Sequence, residues 1–213
     1  MLIHQPLSNI TSEHSIKTHF KVIKMKKVKL DVMAEIFSGL SYRRYLDDAG
    51  KKFKVIVQRS IKKDGELSDF DELALKNNIK ERYFTRENDV LMKMSYPYDV
   101  VCVKEEGLVI SDRIAIIRLK KDYDPDFITH LLTNTHIKKQ LHELGSSEKI
   151  PHTSLKEIKQ LELIVPDLDT QIKYGELLNT INDKIYEDQR QLEYDRNLKE
   201  AILNDLWGED NEI

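Results

Sequence analysis

The amino-acid sequence predicts an α+β domain, built of short strands with flanking helices, followed by one long C-terminal helix. Five or six short apolar runs, each bounded by turn residues, precede residue 120. A helix with clear start and stop signals comes next, and a long stretch without proline and with helical spacing follows it. Several short strands followed by helices are typical of the α+β class.

Composition limits the class of protein. The chain has 213 residues, of which 40% are apolar and 33% charged, which suits one ordinary domain plus an appendage. Its one cysteine, Cys102, excludes a disulfide within the chain and fits a reducing compartment. No stretch approaches the roughly 20 apolar residues of a membrane span, and the N-terminus lacks a signal-peptide core. We therefore expect a soluble, cytoplasmic protein.

The charges are unevenly distributed, although the net charge is only −3. Residues 25–63 hold eleven Lys or Arg against four Asp or Glu, whereas residues 171–213 hold five against eleven. This asymmetry favours contact with an anion at the front of the chain only. The alternative is that both segments are ordinary solvated faces.

The first half of the chain alternates short strands with turns. Residues 28–37 alternate loosely and predict a strand, or a strand and a short turn, that Ser38-Gly39 ends. Residues 51–57 predict a second strand, and residues 62–78 are polar and rich in turn residues. Further strands are predicted at residues 90–92, 100–103, 108–110 and 114–119.

The first long helix carries signals at both ends. Asp124 is a good N-cap, Pro125 suits the first helical position, and Gly145 suits the position after the last turn. We therefore predict one continuous helix between Asp124 and Gly145. Its core face consists of Phe127, Ile128, Leu131, Leu132, Leu141 and Leu144.

Three elements follow this helix. Ser154 and Glu157 have the spacing of a capping box, so a short helix should begin directly after Ser154. Residues 161–165 are apolar and predict a strand that Pro166 ends. Residues 169–207 then predict a long polar helix of roughly 58 Å, at about 1.5 Å per residue.

A narrow apolar seam runs along this long helix at spacings of alternately four and three residues. Seven of its ten positions are apolar, which is typical of a coiled coil rather than of the wider stripe of a globular helix. We expect a second helix, from another copy or another chain, to cover the seam. The alternative is a long helix folded back on its own domain. The ten positions are Tyr174, Leu178, Ile181, Ile185, Asp188, Leu192, Asp195, Lys199, Ile202 and Leu206.

Basic and aromatic residues alternate in the loop at residues 40–45, where two arginines lie between two tyrosines. Arginine can donate two hydrogen bonds to guanine or phosphate, and tyrosine can pack against the DNA backbone. A basic strand follows, and residues 93–98 predict a second loop that faces a DNA groove. The alternative is an ordinary hydrophilic surface, with Tyr42 and Tyr45 packed over the edge of the core. The candidate DNA contacts are Arg43, Arg44, Tyr45, Lys51, Lys52, Lys54, Lys93, Tyr96 and Tyr98.

Signals for catalysis are missing from the sequence. It has no Asn-Pro-Pro or Asp-Pro-Pro aromatic motif for amino-methyl transfer, no glycine-rich loop for a methyl donor and no phosphate-binding Gly-x-x-x-x-Gly-Lys. Pro125-Asp126 is better explained as a helix start than as part of a nuclease site. His130, His136 and His142 are six residues apart, which scatters them around a helix and argues against a metal site. We expect a non-catalytic protein without metal or cofactor.

The order of the motifs in the second half is distinctive. It runs through Asn88-Asp89-Val90-Leu91, Glu106-Gly107-Leu108-Val109-Ile110, Pro125-Asp126-Phe127, Gly145, Ile150-Pro151, Thr153-Ser154-Leu155, Ile164-Val165-Pro166 and Gln171. In this order the chain resembles one target-recognition domain with its following spacer helix, as in the specificity subunit of type I restriction-modification enzymes. The resemblance covers residues 25–206. One departure is Asp31-Val32, where such domains often have Gly-Asp.

The resemblance implies a domain organisation and a function. Residues 1–24 would be an N-terminal extension, 25–167 the DNA-binding target-recognition domain, 168–207 the coiled-coil spacer and dimerisation helix, and 208–213 an acidic tail. The chain would be a non-catalytic subunit that brings a methyltransferase subunit and a motor-nuclease restriction subunit to double-stranded DNA.

Such specificity subunits usually hold two recognition domains and two spacer helices, whereas this sequence shows one of each and no internal repeat. Two copies paired antiparallel through their seams would place one basic domain at each end of a rod. A homodimer of this kind would read a bipartite inverted repeat, with half-sites up to roughly 17 base pairs apart. The alternatives are pairing with a different half-subunit, competition with a full-length subunit, and a coiled-coil adaptor that binds proteins but not DNA.

Overall fold

A computed structural model describes residues 24–63, 65–144 and 152–208. The predicted N-terminal extension, apart from Lys24, and residues 209–213 of the predicted tail lie outside the described residues, as do Gly145, Ile150, Pro151 and the side chain of Leu144. In chain order, the strands and helices of the described part are β1 (Lys26–Lys29), α1 (Leu30–Met33), β2 (Ala34–Ser38), β3 (Leu46–Ile56), β4 (Asp71–Leu75), β5 (Val90–Lys93), β6 (Val100–Cys102), β7 (Val109–Ile110), β8 (Ile114–Leu119), α2 (Pro125–Thr133), α3 (Thr135–Leu144), α4 (Leu155–Gln160), β9 (Glu162–Val165) and α5 (Leu168–Gly208).

A four-stranded antiparallel sheet in the order β2-β8-β5-β6 forms the centre of the globular body, which we define as the described residues before α5. Both faces of this sheet are buried. Val90 and Met92 pack into one hydrophobic cluster, and Leu91 between them packs into another, as the two-residue period of a strand requires. Burial on both sides explains why these strands read as continuous apolar runs.

The helices cover one face of the central sheet. Leu30 of α1, Ile128 of α2, Leu141 of α3 and Ile158 of α4 are each fully buried in the same cluster. The order of strands and helices agrees with the predicted α+β class.

A second sheet, in the order β4-β3-β7, packs beside the opposite face. Strand β3 pairs antiparallel with β4 and parallel with β7. The sequence predicted only residues 51–57 as strand here and read the segment containing β4 as turns. That prediction was wrong because the hairpin is exposed along one face, so its strands lack the apolar runs on which the prediction depended.

A short antiparallel pair, β1 with β9, joins the two ends of the body. The segment predicted as one strand with a turn is instead β1, the four-residue helix α1 and β2. Helix α1 is held by packing, because Leu30 and Met33 are fully buried, and the backbone N–H of Leu30 donates to Leu161 at 2.9 Å.

The predicted continuous helix after Asp124 is divided at Asn134. Asp124 does cap its start, because the side chain accepts a hydrogen bond from the backbone N–H of Phe127 at 2.8 Å. Asn134 is extended, and its side chain accepts from the N–H of His136 at 2.8 Å, so it starts a second helix. Asparagine favours helix ends over helix interiors because its side chain satisfies free backbone donors.

The predicted capping box is confirmed. The Ser154 hydroxyl accepts from the N–H of Glu157 at 3.3 Å, and the Glu157 carboxylate accepts from the N–H of Ser154 at 2.7 Å. Strand β9 follows as predicted, and Asp167 caps the long helix by accepting from the N–H of Thr170 at 3.1 Å. The backbone N–H and the hydroxyl of Thr170 both donate to the Asp167 carboxylate and hold its pKa below the usual value.

Helix α5 has 41 residues and two unlike segments. Its proximal segment, residues 168–182, lies against α2, with Gln171 buried and Tyr174 packed on the core. In the distal segment, residues 183–207, every side chain is exposed. The folded-back alternative is therefore correct for the proximal segment only. Within the described part, no helix has the length and apolar character needed to cross a bilayer.

Candidate nucleic-acid interface

Three turns of the body enclose an open cleft of about 480 Å³, which we call the arginine cleft. They are a 3-10 turn at Tyr42–Tyr45, a 3-10 turn at Gln58–Ser60 and the β7–β8 turn. A smaller cleft of about 300 Å³ adjoins it and shares Gln58, Asp112 and Arg113. The residues that line the arginine cleft are Ser41, Tyr42, Arg43, Val57, Gln58, Arg59, Asp71, Ser111, Asp112 and Arg113.

Backbone hydrogen bonds fix the three turns relative to one another. The N–H of Leu40 donates to Ile110 at 2.7 Å, and the N–H of Asp112 donates back to Leu40 at 3.0 Å. The N–H of Ser111 donates to Ile56 at 3.0 Å, which ties the β7–β8 turn to the end of β3. A Cβ at Gly39 would lie 2.3 Å from the carbonyl oxygen of Ile110, so this close approach requires glycine. These contacts set the positions of the three turns around the cleft.

The cleft holds three arginines, one of which is paired with a carboxylate. Arg59 pairs with Asp71 across the cleft. Arg43 and Arg113 have no ion pair or side-chain hydrogen bond with any residue that the structure describes. A free guanidinium in an open cleft keeps its full hydrogen-bonding capacity for an acceptor from outside the chain.

Gln58 occupies the wall between the two clefts. Its side-chain amide donates to the hydroxyl of Ser95 at 2.7 Å, which fixes the orientation of the amide group. An oriented glutamine beside two free arginines combines the side-chain types that read adenine and guanine edges.

Sequence reasoning identified only Arg43 among these groups. Sequence reasoning missed Gln58, Arg59 and Arg113 because each is a single polar residue in a short turn. They form a cleft only when the three turns come together in the fold. The available signal was their position directly after strands, at Val57-Gln58-Arg59 and Ser111-Asp112-Arg113.

The other basic candidates lie around the cleft rather than in it. Arg44 is exposed and Lys52 is exposed on β3. Lys51 lies 5.5 Å above the ring of Phe53, and Lys54 lies 5.6 Å from the ring of Phe70 and 3.8 Å from the carboxylate of Glu105. Their ammonium groups reach solvent, which suits contact with phosphates but not deep insertion into a groove.

The predicted second loop presents fewer groups than expected. Tyr98 is fully buried, and burial together with the nearby carboxylate of Glu157 raises the pKa of its hydroxyl. Lys93 is mostly buried and donates to Asp99 at 2.9 Å. The expectation that Tyr98 and Lys93 face outwards is wrong, because Tyr98 is buried in the core and Lys93, at the end of β5, is held by Asp99. Tyr96 alone of the three is exposed, edge-on to Tyr98.

Tyr42 and Tyr45 are half-buried against the core of the second sheet, as the alternative reading of this loop proposed. Their rings pack on the core and hold the turn in place, while the side chains of Arg43 and Arg44 are exposed to solvent. In this turn the two tyrosines therefore anchor the backbone, and the two arginines between them are exposed.

The cysteine of the chain, Cys102, lies outside the arginine cleft. Burial, reinforced by the carboxylate of Asp126, raises the pKa of Cys102 to about 12, so its thiol is a poor nucleophile. Among the described residues, no three His, Cys, Asp or Glu side chains are grouped to hold a metal ion.

Comparison with known protein families gives one match. The model of the family described as type I restriction modification DNA specificity domain matches residues 23–193, which is more than half of the chain. A comparison with curated proteins finds no significant match.

Solved structures share the fold. The HsdS subunit from Thermoanaerobacter tengcongensis matches with a TM-score of 0.64 and 16% identity, over 84% of this chain and 47% of that one. A chain from a study of complex assembly and conformational transition of the type I R-M system matches with a TM-score of 0.63 and 17% identity, over 83% and 43%. The type-I restriction-modification S subunit from M. genitalium matches with a TM-score of 0.57 and 13% identity, over 91% and 48%.

These likenesses confirm the predicted fold class, a body like one target-recognition domain followed by a long helix. The chain spans less than half of the length of each of these matched chains.

Proposed function

The chain belongs to the family of type I restriction modification DNA specificity domains, and on this premise we propose that it selects a DNA sequence for a methyltransferase subunit without catalysing a reaction itself. The observation that carries the proposal beyond the family is the arginine cleft, where Arg43 and Arg113 face solvent beside the oriented amide of Gln58.

The arginine cleft supplies the base contacts in this proposal. Arg43 and Arg113 donate paired hydrogen bonds to guanine, and Gln58 reads adenine through its amide. Lys51, Lys52, Lys54 and Arg44, around the cleft, neutralise phosphates, and Tyr96 packs against the backbone. Tyr45, Lys93 and Tyr98 stabilise the loops from inside rather than touching DNA.

The long helix serves protein contacts. Its distal segment carries seven Asp or Glu against four Lys or Arg, so it is repelled by phosphates and remains available for protein. Two copies pair through the exposed seam and present two bodies to inverted half-sites of one duplex. The methyltransferase subunit and the motor-nuclease subunit assemble on this pair in a cytoplasmic complex.

The test is selection of bound duplexes from a random library by the full chain together with its methyltransferase subunit. We expect enrichment of two short inverted half-sites separated by a gap without base preference. With Arg113→Ala, we expect one position of each half-site to lose its base preference. An unselective pool would contradict the proposal.

A protein adaptor that never binds DNA is the second candidate, favoured by the exposed seam of α5. The salt dependence of DNA binding separates the two functions. Contacts from several cations make affinity fall steeply as salt rises, whereas an adaptor shows no DNA binding to weaken.

A further inference from the structure

The seam of α5 is available for pairing only from Ile181 onwards. Tyr174 packs on the core of its own body and Leu178 is half-buried. Ile181, Ile185, Leu192, Ile202 and Leu206 are each between 46% and 61% exposed. In an interface between two helices, the apolar contacts would therefore come from these exposed seam residues.

Three charged side chains interrupt that part of the seam: Asp188, Asp195 and Lys199. All three are exposed, and Asp188 and Lys199 have no ion pair within the described residues. In a parallel pair of identical helices, each seam residue meets its own counterpart. Parallel pairing would thus bring Asp188, Asp195 and Lys199 against like charges, so the seam disfavours it.

Three antiparallel registers keep the heptad spacing, pair Leu206 and overlap over at least 19 residues of the seam. In the first, Tyr174 lies opposite Leu206. That register uses a side chain already committed to the body, and it places all three charged residues against Leu192, Ile185 and Ile181. Each charge then loses water without gaining a partner, which is costly.

In the second register, Asp195 lies opposite Lys199. The charges match, but the overlap shortens to residues 188–206, and Ile181 and Ile185 stay exposed. Asp188 then faces Leu206.

The third register places Asp188 opposite Lys199 in both directions. It packs Ile181 against Leu206 and Ile185 against Ile202, and leaves only Asp195 facing an apolar residue, Leu192. The flanking positions also place Lys184 near Asp205, which have opposite charge and no ion pair in the described chain.

We propose that a second copy of this chain binds residues 181–206 of α5 antiparallel in this third register, with Asp188 opposite Lys199 of the second copy. The two-fold axis then passes between residues 193 and 194. At about 1.5 Å per residue, the two Gly175 residues, where α5 packs on each body, are about 56 Å apart along the helix axis. This inference rests on the self-pairing in the proposed function and adds its register.

Charge reversal tests the register by light scattering and sedimentation of the full chain at several concentrations. Asp188→Lys alone and Lys199→Asp alone should each weaken the dimer at least about tenfold, since each turns two attractive layers into repulsive ones. The double variant, and an equimolar mixture of the two single variants, should regain affinity within about threefold of the original.

Asp195→Lys is the matched control, with the same change in net charge. It should alter the dimer by less than about threefold, because Asp195 faces Leu192 in the third register. Rescue of Lys199→Asp by Asp195→Lys instead of Asp188→Lys would assign the second register. Dimers indifferent to all these changes would overturn the inference but leave self-pairing intact, whereas an original chain that stays monomeric would remove self-pairing itself.

A covalent readout is independent of affinity. In a Cys102→Ser background, a chain with Ile185→Cys mixed with a chain with Ile202→Cys should form a disulfide-linked dimer on oxidation, and neither alone should do so. Preferential linkage of Leu178→Cys or Leu192→Cys with Ile202→Cys would contradict the third register.

Discussion

The globular body and the distal segment of α5 treat apolar residues in opposite ways. In the body, Leu91 and Ile116 are completely buried between layers. In the distal segment, Leu192, Ile202 and Leu206 are at least half exposed. An isolated helix gains little stability from propensity alone, and most helical stability in proteins comes from packing. The difference shows that the body buries its apolar side chains within one chain, whereas the distal segment leaves its apolar side chains exposed.

A similar contrast exists between arginines within the body. Arg118 is mostly buried and donates to Asp89 at 2.9 Å and to the carbonyl of Phe84 at 2.9 Å, which binds strand β8 to the turn before β5. The guanidinium groups of Arg43 and Arg113 make no hydrogen bond or ion pair with residues 24–63, 65–144 or 152–208. An arginine satisfied within the chain stabilises the fold, and one left free is suited to recognition.

The largest expected effect comes from cutting a side chain inside the body. Ile116→Ala should lower the free energy of unfolding by about 2–5 kcal/mol, because it leaves a cavity between two buried layers. Urea unfolding measures it. The matched change Ile202→Ala should shift the unfolding of the body by less than about 0.5 kcal/mol. Equal losses in both variants would show that the two regions do not differ as described.

Next in size is the loss of pairing when charges enter the seam. Ile181→Asp with Ile185→Asp should weaken the dimer by more than about a hundredfold, since carboxylates cannot replace buried isoleucines. Light scattering measures the mass. Tyr186→Asp with Tyr194→Asp, two exposed aromatic side chains off the seam, is the control and should leave the dimer unchanged. A persistent dimer in the seam variant would move the interface elsewhere.

A smaller effect is expected on recognition. Arg43→Ala with Arg44→Ala should weaken specific DNA binding more than about tenfold in the assembled complex, because two donors beside the arginine cleft are lost. Gel-shift titration measures it. Lys139→Ala with Lys156→Ala removes the same charge from exposed positions on α3 and α4 and should cost less than about threefold. Unchanged affinity in the arginine variant would remove this turn from the DNA site.

The smallest effect concerns the capping box. Ser154→Ala should destabilise the body by about 1 kcal/mol, because the N–H of Glu157 loses its acceptor. Thr180→Ala, which removes a hydroxyl from the exposed face of α5, should change stability by less than about 0.5 kcal/mol. Thermal unfolding followed by circular dichroism compares them, and a null result for Ser154→Ala would mean that water replaces the cap.

Local signals made much of the fold predictable. The caps at Asp124, Ser154 and the start of α5 depend on contacts between residues no more than four apart. A short stretch of sequence is therefore enough to predict them. Asn134 was overlooked because a single asparagine is tolerated in helices, and its role as a break becomes evident only when α2 packs against α5 and α3 packs against α4. Strand β4 was missed because its stabilising neighbour is another half-exposed strand.

The candidate site was less predictable for the same physical reason. Arg43 stands out in sequence because Tyr42, Arg44 and Tyr45 surround it. Arg113 stands alone in sequence, and it joins Arg43 only through the hydrogen bonds that tie the turns of β2, β3 and β7 together. The inward direction of Tyr98 is equally a property of the assembled core.

The root of α5 has a geometric consequence for spacing. Gln171 is buried and bridges two parts of the body, donating to the carbonyl of Pro166 at 3.0 Å and accepting from the N–H of Asp124 at 3.1 Å. One turn later, any Cβ at Gly175 would lie 2.5 Å from the carboxylate of Asp124. Beyond residue 182 the helix leaves the body and extends about 36 Å to Leu206, so a tilt of about 10° at this joint would move its end by about 6 Å. In the dimer proposed above, a movement of that size would be close to the rise of two base pairs, at about 3.4 Å each, so the packing of Gln171 would set how precisely the spacing of the two bodies is fixed.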